Sequence, residues 1–238
     1  MQYLGGKHRQ AKHIAAAILP RVRDRRLYLE PFLGGGSTFK ALSPHFAQAV
    51  GADYAADLMM MWDAARRGWL PPPWVSREEY ESLRTAPPSP LRGFVGFGCS
   101  FGGKWFGGYG AQVIDAKHPS GHVSHGSQRS VVDIAQCMRG ALLATADYRL
   151  WSPGPETVVY CDPPYRNATS GYPAPVFDSV EFWDTCRRWA ANGAAVFVSE
   201  RTAPPDMEEI WSRTAAVSLA RETNAARNVE RLYRVERE

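Results

Sequence analysis

The apolar run Val158-Val159-Tyr160-Cys161 leads directly into Asp162-Pro163-Pro164-Tyr165, and this junction constrains the fold more than any other segment of the chain. Four consecutive apolar residues predict a buried strand. The two prolines end it, because proline has no backbone N–H to donate to a sheet. The residue before a proline is also kept out of helical backbone. We therefore expect Asp162 to leave the strand in an extended conformation, with its carboxylate at the edge of a sheet.

The tetrapeptide at 162–165 offers what chemistry at an exocyclic amine requires. The Asp162 carboxylate and a neighbouring peptide carbonyl can accept both amino hydrogens of a planar base, and the Tyr165 ring can stack on that base. A strand that ends in a tight turn explains the same residues without any function. Short motifs recur by chance, so the rest of the sequence has to decide between the two.

The composition is that of an ordinary globular protein. With 238 residues, of which 45% are hydrophobic, the chain can form one large domain or a domain with an insertion. No apolar segment approaches the roughly 20 residues of a membrane helix, so we expect an intracellular protein. The four cysteines lie far apart without a C-x-x-C pair, which argues against a disulfide framework and a cysteine-rich zinc site.

Positive charge is concentrated near the N-terminus. Residues 1–40 contain eight lysines and arginines but two acidic residues, a net charge of +6, whereas the whole chain carries +4. This distribution favours a polyanionic partner, although a solvated basic surface has the same composition.

Apolar periodicity predicts alternating helices and strands. We expect helices at 8–19, from Ser37 onward, and at 55–66, 131–145 and 180–191, and strands at 27–30, 47–52, 157–161 and 194–199. Residues 217–219 and 232–235 are predicted to form a terminal hairpin. The alternation is typical of an α/β fold with a mostly parallel sheet. Prolines interrupt it from about residue 68, which predicts an inserted region at 68–150.

Three further features accompany the strand-and-turn motif. The segment Glu30-Pro31-Phe32-Leu33-Gly34-Gly35-Gly36-Ser37 lets backbone approach a ligand at a helix N-terminus, although Phe39 replaces the third glycine of a dinucleotide fingerprint. Asp53 can accept hydrogen bonds from both hydroxyls of a ribose, or cap the helix that follows it. Gly5-Gly6-Lys7 can hold a carboxylate. An adenosine end, an amino-acid end and an amine-activating centre together point to S-adenosylmethionine.

These motifs, in this order, resemble the DNA adenine-N6 methyltransferase family of bacteria and their phages. Tyr3-Leu4-Gly5-Gly6-Lys7 is similar to the family's N-terminal G-G-K motif, 30–37 to its E-P-F-x-G-x-G-S cofactor loop, and Gly51-Ala52-Asp53 to its ribose-binding strand end. Asp162-Pro163-Pro164-Tyr165 is similar to its catalytic motif. Relatives often carry tryptophan where this chain has Tyr3, and stacking on the cofactor is expected to be kept.

The resemblance implies a Rossmann-like, S-adenosylmethionine-dependent methyltransferase fold with a mixed, mostly parallel sheet. Residues 1–67 and 151–238 would form the catalytic and cofactor-binding domain, and 68–150 an inserted target-recognition region. The implied cofactor-binding residues are Tyr3, Gly5, Gly6, Lys7, Glu30, Pro31, Phe32, Gly34, Gly36, Ser37, Asp53 and Asp162.

The implied reaction is site-specific methyl transfer to N6 of an adenine flipped out of double-stranded DNA. Asp162 and the Pro163 carbonyl would hold the amine, Pro164 and Tyr165 would complete the catalytic motif, and the nitrogen would attack the sulfonium methyl directly. Cys161 would be a buried bystander, since the Pro-Cys nucleophile of cytosine-C5 enzymes is absent. No metal is required. Cytosine-N4 methylation and a non-catalytic DNA-binding or decoy protein with this fold are the alternatives.

DNA contacts are expected in the inserted region. Aromatic residues alternate with glycines over 94–109, a pattern suited to stacking on bases, and a core segment bent by its glycines is the alternative. The DNA-binding residues implied are Lys104, Trp105, Phe106 and Tyr109.

A cluster of histidines follows in the same region, at positions 118, 122 and 125. Their spacing can hold zinc, but the sequence offers no fourth ligand nearby, so a DNA-contacting loop is the favoured interpretation. The protein is expected in the cytoplasm of a bacterial or phage-infected cell, as a monomer or a weak dimer. The sequence does not decide whether it accompanies a restriction enzyme.

Overall fold

The computed structural model describes residues 1–110, 123–164, 176–214 and 229–236. Its helices are α1 (Ala11–Ile18), α2 (Ser37–Leu42), α3 (Ala56–Arg66), α4 (Arg77–Arg84), α5 (Pro90–Gly93), α6 (Val123–Ala135) and α7 (Ser179–Ala191). Its strands are β1 (Leu27–Glu30), β2 (Gln48–Asp53), β3 (Leu142–Thr145), β4 (Thr157–Cys161), β5 (Ala195–Glu200), β6 (Met207–Thr214) and β7 (Val229–Val235). Within these ranges, no helix has the length and apolar character needed to span a membrane.

The strands form one mixed sheet in the order β3-β2-β1-β4-β5-β7-β6. The first five are parallel, and β7 runs antiparallel to both of its neighbours. The chain leaves β1 in one direction to build β2 and β3, and later returns to the other side of β1 to build β4 and β5. Ligands in open α/β sheets bind at the carboxyl ends of the strands where the order reverses in this way. The predicted α/β class with a mostly parallel sheet is confirmed.

Helices cover both faces of the sheet, and the strands are correspondingly apolar on both sides. Side chains alternate between the faces along each strand. Tyr28 and Tyr160 point into the larger core with α1, α2, α3 and α6, whereas Leu29 and Val159 point into a second core with α7. This three-layer arrangement explains why β4 and most of β5 are continuous apolar runs in the sequence.

One predicted helix is wrong in its second half. The stretch 131–145 was predicted to be helical throughout, but α6 ends at Ala135 and residues Leu142–Thr145 form β3, which pairs in parallel with β2. A four-residue strand at a sheet edge is too short to give a clear alternation of its own. The predicted inserted region, 68–150, therefore includes a strand of the sheet.

The predicted terminal hairpin is present as the antiparallel pair β6 and β7. Its second strand includes the predicted residues 232–235. Its first strand is Met207–Thr214, and the predicted segment 217–219 lies outside the residues that the structure describes.

A buried ion pair ties the inserted segment to the sheet domain. Asp57, in the first turn of α3, is 2% exposed and bonds the Arg92 guanidinium of α5 at 2.8 Å. Its other oxygen accepts the backbone N–H of Ser89 at 3.1 Å. Gly93 is packed so closely on α3 that an added Cβ would lie 2.1 Å from the Asp57 carbonyl oxygen. The start of α5 thus lies directly against α3.

We expect Asp57→Ala to lower the free energy of unfolding by about 3 kcal/mol, because it leaves the Arg92 charge largely buried without this partner. Urea denaturation measures the effect. Asp63→Ala is the matched control: Asp63 lies on the same helix and bonds Arg66 and Arg67, but it is 36% exposed. That change is expected to cost about 1 kcal/mol or less. Equal losses in the two variants would contradict the anchoring role of Asp57.

Candidate active site

A cavity of about 230 Å³ opens at the carboxyl ends of β1, β2 and β4. Every residue predicted to bind the cofactor lines it, together with Pro163 and Pro164 of the catalytic motif. Segments that are far apart in the sequence therefore meet at one site, as the topology of the sheet requires. Tyr165 lies outside the described residues, so its predicted stacking role stays a prediction.

The glycine loop between β1 and α2 is held from two sides. The Gly34 N–H donates to Asp53 Oδ2 at 2.9 Å, and the Gly34 carbonyl accepts from the indole of Trp62 at 3.0 Å. Gly34 and Gly36 have φ angles of 45° and 69°, where a side chain is strained. Trp62 was expected to be a packing residue, and it is fully buried, but it also fixes the loop.

Asp53 is bonded mainly to backbone. In addition to Gly34, the Ala55 N–H donates to its Oδ1 at 3.0 Å, and the Tyr54 N–H also bonds the carboxylate. Burial raises the pKa of Asp53, and these N–H groups oppose that rise. The two functions considered for Asp53, ligand binding and organising the start of α3, therefore compete for the same lone pairs.

The N-terminal segment joins the glycine loop to the inserted region. The Tyr3 ring packs so tightly on the loop that a Cβ on Gly34 would lie 2.8 Å from it. The ring also packs on Phe97, with centroids 5.0 Å apart. The Leu4 N–H donates to the Gly103 carbonyl at 3.1 Å. Tyr3 thus lines the cavity between two parts of the fold.

Lys7 lies against the catalytic motif. Its Nζ is 2.8 Å from Asp162 Oδ1 and 3.7 Å from Glu230 Oε2, and the lysine is 4% exposed. Lys7 was predicted to meet the carboxylate of a ligand, but the carboxylates beside it here belong to the chain. Glu230, near the start of β7, was not identified from the sequence, because nothing local distinguishes it from other charged residues of that strand.

Burial and neighbouring polar or charged groups have opposite effects on the pKa values of Lys7, Asp162 and Glu30. Burial raises the pKa of Asp162, and the Lys7 ammonium lowers it. Burial also disfavours the charged form of Lys7, but Asp162 and Glu230 outweigh it and raise the pKa of the amine. Burial raises the pKa of Glu30 well above its ordinary value, while the Tyr28 hydroxyl, which donates to Glu30 at 2.5 Å, opposes the rise. The Lys7 ammonium therefore opposes the rise that burial causes in the pKa of Asp162.

Another wall of the cavity is aromatic, and apart from the predicted Phe32 its residues were missed by sequence reasoning. Phe32 packs on Tyr148 at 5.2 Å and on the edge of Phe177 at 6.3 Å. Asp147 lies beside them and bonds Arg149, which lowers the pKa of its carboxyl. The sequence contained a signal for Asp147, because Ala146-Asp147 follows β3 much as Ala52-Asp53 ends β2. It was not recognised because the residues of β3 had been predicted to be helical.

The residues predicted to contact DNA do not share one environment. Trp105 and Phe106 are 8% and 7% exposed, and their rings pack on each other at 4.7 Å. They form part of the core, as the alternative interpretation of this segment had it, and their rings are not open to a base. Lys104 is exposed, and the partly buried Tyr109 donates its hydroxyl to the Val75 carbonyl at 2.7 Å. DNA contact by Lys104 and Tyr109 stays a prediction.

The remaining candidates are Cys161 and the histidine cluster. Cys161 is buried, and burial raises the pKa of its thiol well above the ordinary value, which disfavours a nucleophilic role. His118 and His122 lie outside the described residues. In the part of the chain that the structure describes, no group of three or more metal-binding side chains converges.

We expect Gly36→Ala to destabilise the protein by about 1–3 kcal/mol, because the new Cβ would lie 2.9 Å from Ile134 at a positive φ. Thermal unfolding provides the measurement. Gly140→Ala is the control, since a Cβ there meets nothing within 4 Å. A Gly36→Ala protein as stable as that control would show that the loop does not need glycine here.

Comparison with known proteins adds to the evidence from the site. Residues 3–76 match the model of a family described as D12 class N6 adenine-specific DNA methyltransferase. No curated protein matches the sequence.

Solved structures with a similar arrangement include the "putative methyltransferase yhhF" of Escherichia coli, 13% identical with a TM-score of 0.40, where the match covers 97% of this chain and 86% of that one. The "putative methylase HI0767" of Haemophilus influenzae is 12% identical with a TM-score of 0.39, over 97% and 99% of the two chains. A "conserved hypothetical protein" of Streptococcus pyogenes is 10% identical with a TM-score of 0.38, over 93% and 95%. The family resemblance is confirmed over residues 3–76, which carry the G-G-K motif, the glycine loop and Asp53.

Proposed function

We propose that this protein transfers a methyl group from S-adenosylmethionine to the N6 amino group of adenine in double-stranded DNA. The observation that carries the proposal is the position of the Asp162 carboxylate. It lies at the carboxyl end of β4, inside the cavity that also contains the glycine loop and Asp53. An acceptor for an amine thus lies beside residues suited to a nucleoside-containing cofactor.

The chain's residues fit S-adenosylmethionine. Gly34 and Gly36 bring backbone to the cavity at positive φ, where a side chain would be strained and would collide with its neighbours. The aromatic wall that contains Phe32 and Phe177 suits a planar base. Three backbone N–H groups already donate to Asp53, and a carboxylate has about four lone-pair sites. Asp53 is therefore proposed to hold one ribose hydroxyl rather than both.

In the proposed mechanism, the Asp162 carboxylate and the Pro163 carbonyl each accept a hydrogen bond from one N–H of the adenine amine. This orients the amine nitrogen and favours a tetrahedral geometry with its lone pair free of the ring. The bound cofactor supplies an electrophilic methyl group on a sulfonium. Tyr165 is proposed to stack on the flipped adenine.

Asp162 must be ionised to accept a hydrogen bond with either oxygen, and it is partly buried. The Lys7 ammonium at 2.8 Å provides the countercharge. Lys7 is therefore proposed to act on the catalytic carboxylate, and the carboxylate of the cofactor is left to the backbone of Gly5 and Gly6.

Two observations support DNA as the substrate. The family whose model matches residues 3–76 is described as acting on DNA adenine, and residues 1–40 carry a net charge of +6, which suits a polyanion. We propose that residues 68–141 recognise the target, with the boundary drawn before β3 because that strand belongs to the sheet. A bacterial or phage-infected cytoplasm remains the proposed location.

The activity is tested directly by incubating the protein with S-adenosylmethionine and duplex DNA of varied sequence, then analysing the nucleosides by mass spectrometry. We expect N6-methyladenine, and its loss in Asp162→Ala. Asp184→Ala is the control, because Asp184 is an exposed residue of α7 outside the cavity lining. N4-methylcytosine as the product would establish the cytosine alternative. Binding of cofactor and DNA without transfer would establish the non-catalytic one.

The countercharge role of Lys7 predicts a specific pH dependence. In Lys7→Met, burial still raises the pKa of Asp162 but the ammonium no longer lowers it, so the carboxylate ionises only at higher pH. The acidic limb of the kcat profile should move to higher pH, and activity should fall by about tenfold or more near pH 6 but less near pH 8.5.

Methylation rates measured across this range with saturating substrates test the prediction. Lys12→Met, an exposed change on α1, is the control. A loss of the same size at every pH would contradict the countercharge role.

A further inference from the structure

A second carboxylate lies behind Lys7 because of the one antiparallel strand inside the sheet. β7 lies between β5 and β6 and runs against β5. Its N-terminal end therefore reaches the same edge of the sheet as the carboxyl ends of the parallel strands. Glu230 is the second residue of β7, and its neighbour Arg231 pairs with Glu200 at the end of β5. The topology thus brings Glu230 to the catalytic motif.

Among the described residues, three oxygen atoms lie close to the Lys7 ammonium. Asp162 Oδ1 is at 2.8 Å, the Gly5 carbonyl oxygen at 3.2 Å and Glu230 Oε2 at 3.7 Å. The side chains of Asp162 and Glu230 are 21% and 20% exposed, so their attraction to Lys7 is screened less than that of a surface pair. Lys7 is therefore attracted to both carboxylates.

The proposed reaction requires an oxygen of Asp162 for the amine. The lysine side chain is flexible and carries its charge at the end, so the position of its ammonium depends on the carboxylates around it. With Asp162 alone as partner, the ammonium would be drawn to a position between the two carboxylate oxygens and would compete with the amine for both. Glu230 draws it to the Oδ1 side.

We propose that Glu230 is a positioning residue for methyl transfer: it holds Lys7 on one oxygen of Asp162 and so leaves the other oxygen to the substrate amine. This inference rests on the proposed function. Glu230 itself touches neither substrate nor cofactor in this role, because it acts through Lys7.

The charge of Glu230 also affects how kcat depends on pH. The ionisable groups that face Lys7 and Asp162 from the neighbouring strands are Glu30, Tyr160, Cys161, Glu200 and Glu230. Glu230 raises the pKa of Lys7 and that of Asp162. Removing its charge should therefore lower both, so that Asp162 ionises and Lys7 loses its proton at lower pH.

The test compares Glu230→Gln, which removes the charge at constant size, with Glu230→Asp, which keeps the charge. We expect kcat of Glu230→Gln to fall by about 10- to 100-fold, the scale on which misplacing a reacting group costs rate. KM values for cofactor and DNA should change little, and the acidic limb of the kcat profile should move to lower pH. Glu230→Asp should recover part of the rate and a profile near that of the wild type.

Glu209→Gln is the matched control, since Glu209 is 42% exposed on β6 and bonds Arg231 outside the cavity. It should leave rate and profile unchanged. A Glu230→Gln profile that keeps the acidic limb in place would overturn the proposal, because a purely structural loss lowers activity at all pH values alike.

A second measurement keeps this inference separate from the proposed function. Carboxyl-carbon NMR of ¹³C-labelled protein, without substrate, follows the ionisation of Asp162 directly. We expect the Asp162 midpoint to move to lower pH in Glu230→Gln. An unmoved midpoint overturns the electrostatic coupling between Glu230 and Asp162 even in an active enzyme. A moved midpoint in a protein that makes no methylated base would retain the coupling and reject the proposed function.

Discussion

The parallel pairing of β1 with β4 is the constraint on which the candidate site depends. Leu27 to Leu29 pair in register with Thr157 to Val159, so both strands end at the same level. The glycine loop follows one strand and Asp162-Pro163-Pro164 follows the other. More than 120 residues of chain separate these motifs, yet the register brings Glu30 and Asp162 to one cavity. A slip of this pairing by one residue would turn Asp162 to the other face of the sheet.

At the edge of the sheet that contains the cavity, several acidic side chains lie near the buried Lys7 ammonium. The proposed chemistry depends on this excess of acidic groups. Asp162, Glu200 and Glu230 lie close enough to the buried Lys7 ammonium to raise its pKa, and Glu30 interacts with Asp162. Burying such groups is costly unless they are paired, and replacing a buried ion pair by apolar residues is often neutral or stabilising. Stability is therefore a poor explanation for this cluster. The need for an ionised acceptor inside an apolar cavity explains the cluster better, because such a carboxylate requires a countercharge at short range.

The sequence was sufficient to identify cavity residues that belong to short, consecutive motifs. The glycine loop, Asp53 and Asp162 were found because each follows a buried strand and has a local signature. Trp62 and Glu230 were missed because their roles depend on partners distant in the chain. Asp147 was missed because the four residues of β3 were too short to identify as a strand. The burial of Trp105 and Phe106 could not be decided from the sequence, because composition does not reveal which aromatic rings are covered.

The position of Tyr3 has a thermodynamic consequence. Its ring rests on Gly34 and Phe97, and the adjacent Leu4 is bonded to Gly103, so one short segment is shared by the glycine loop and the inserted region. A ligand in the cavity that displaced this segment would also act on the inserted region through the same contacts. Linkage requires that any such effect on binding be equal in both directions. The affinities of two ligands that never touch would then depend on each other.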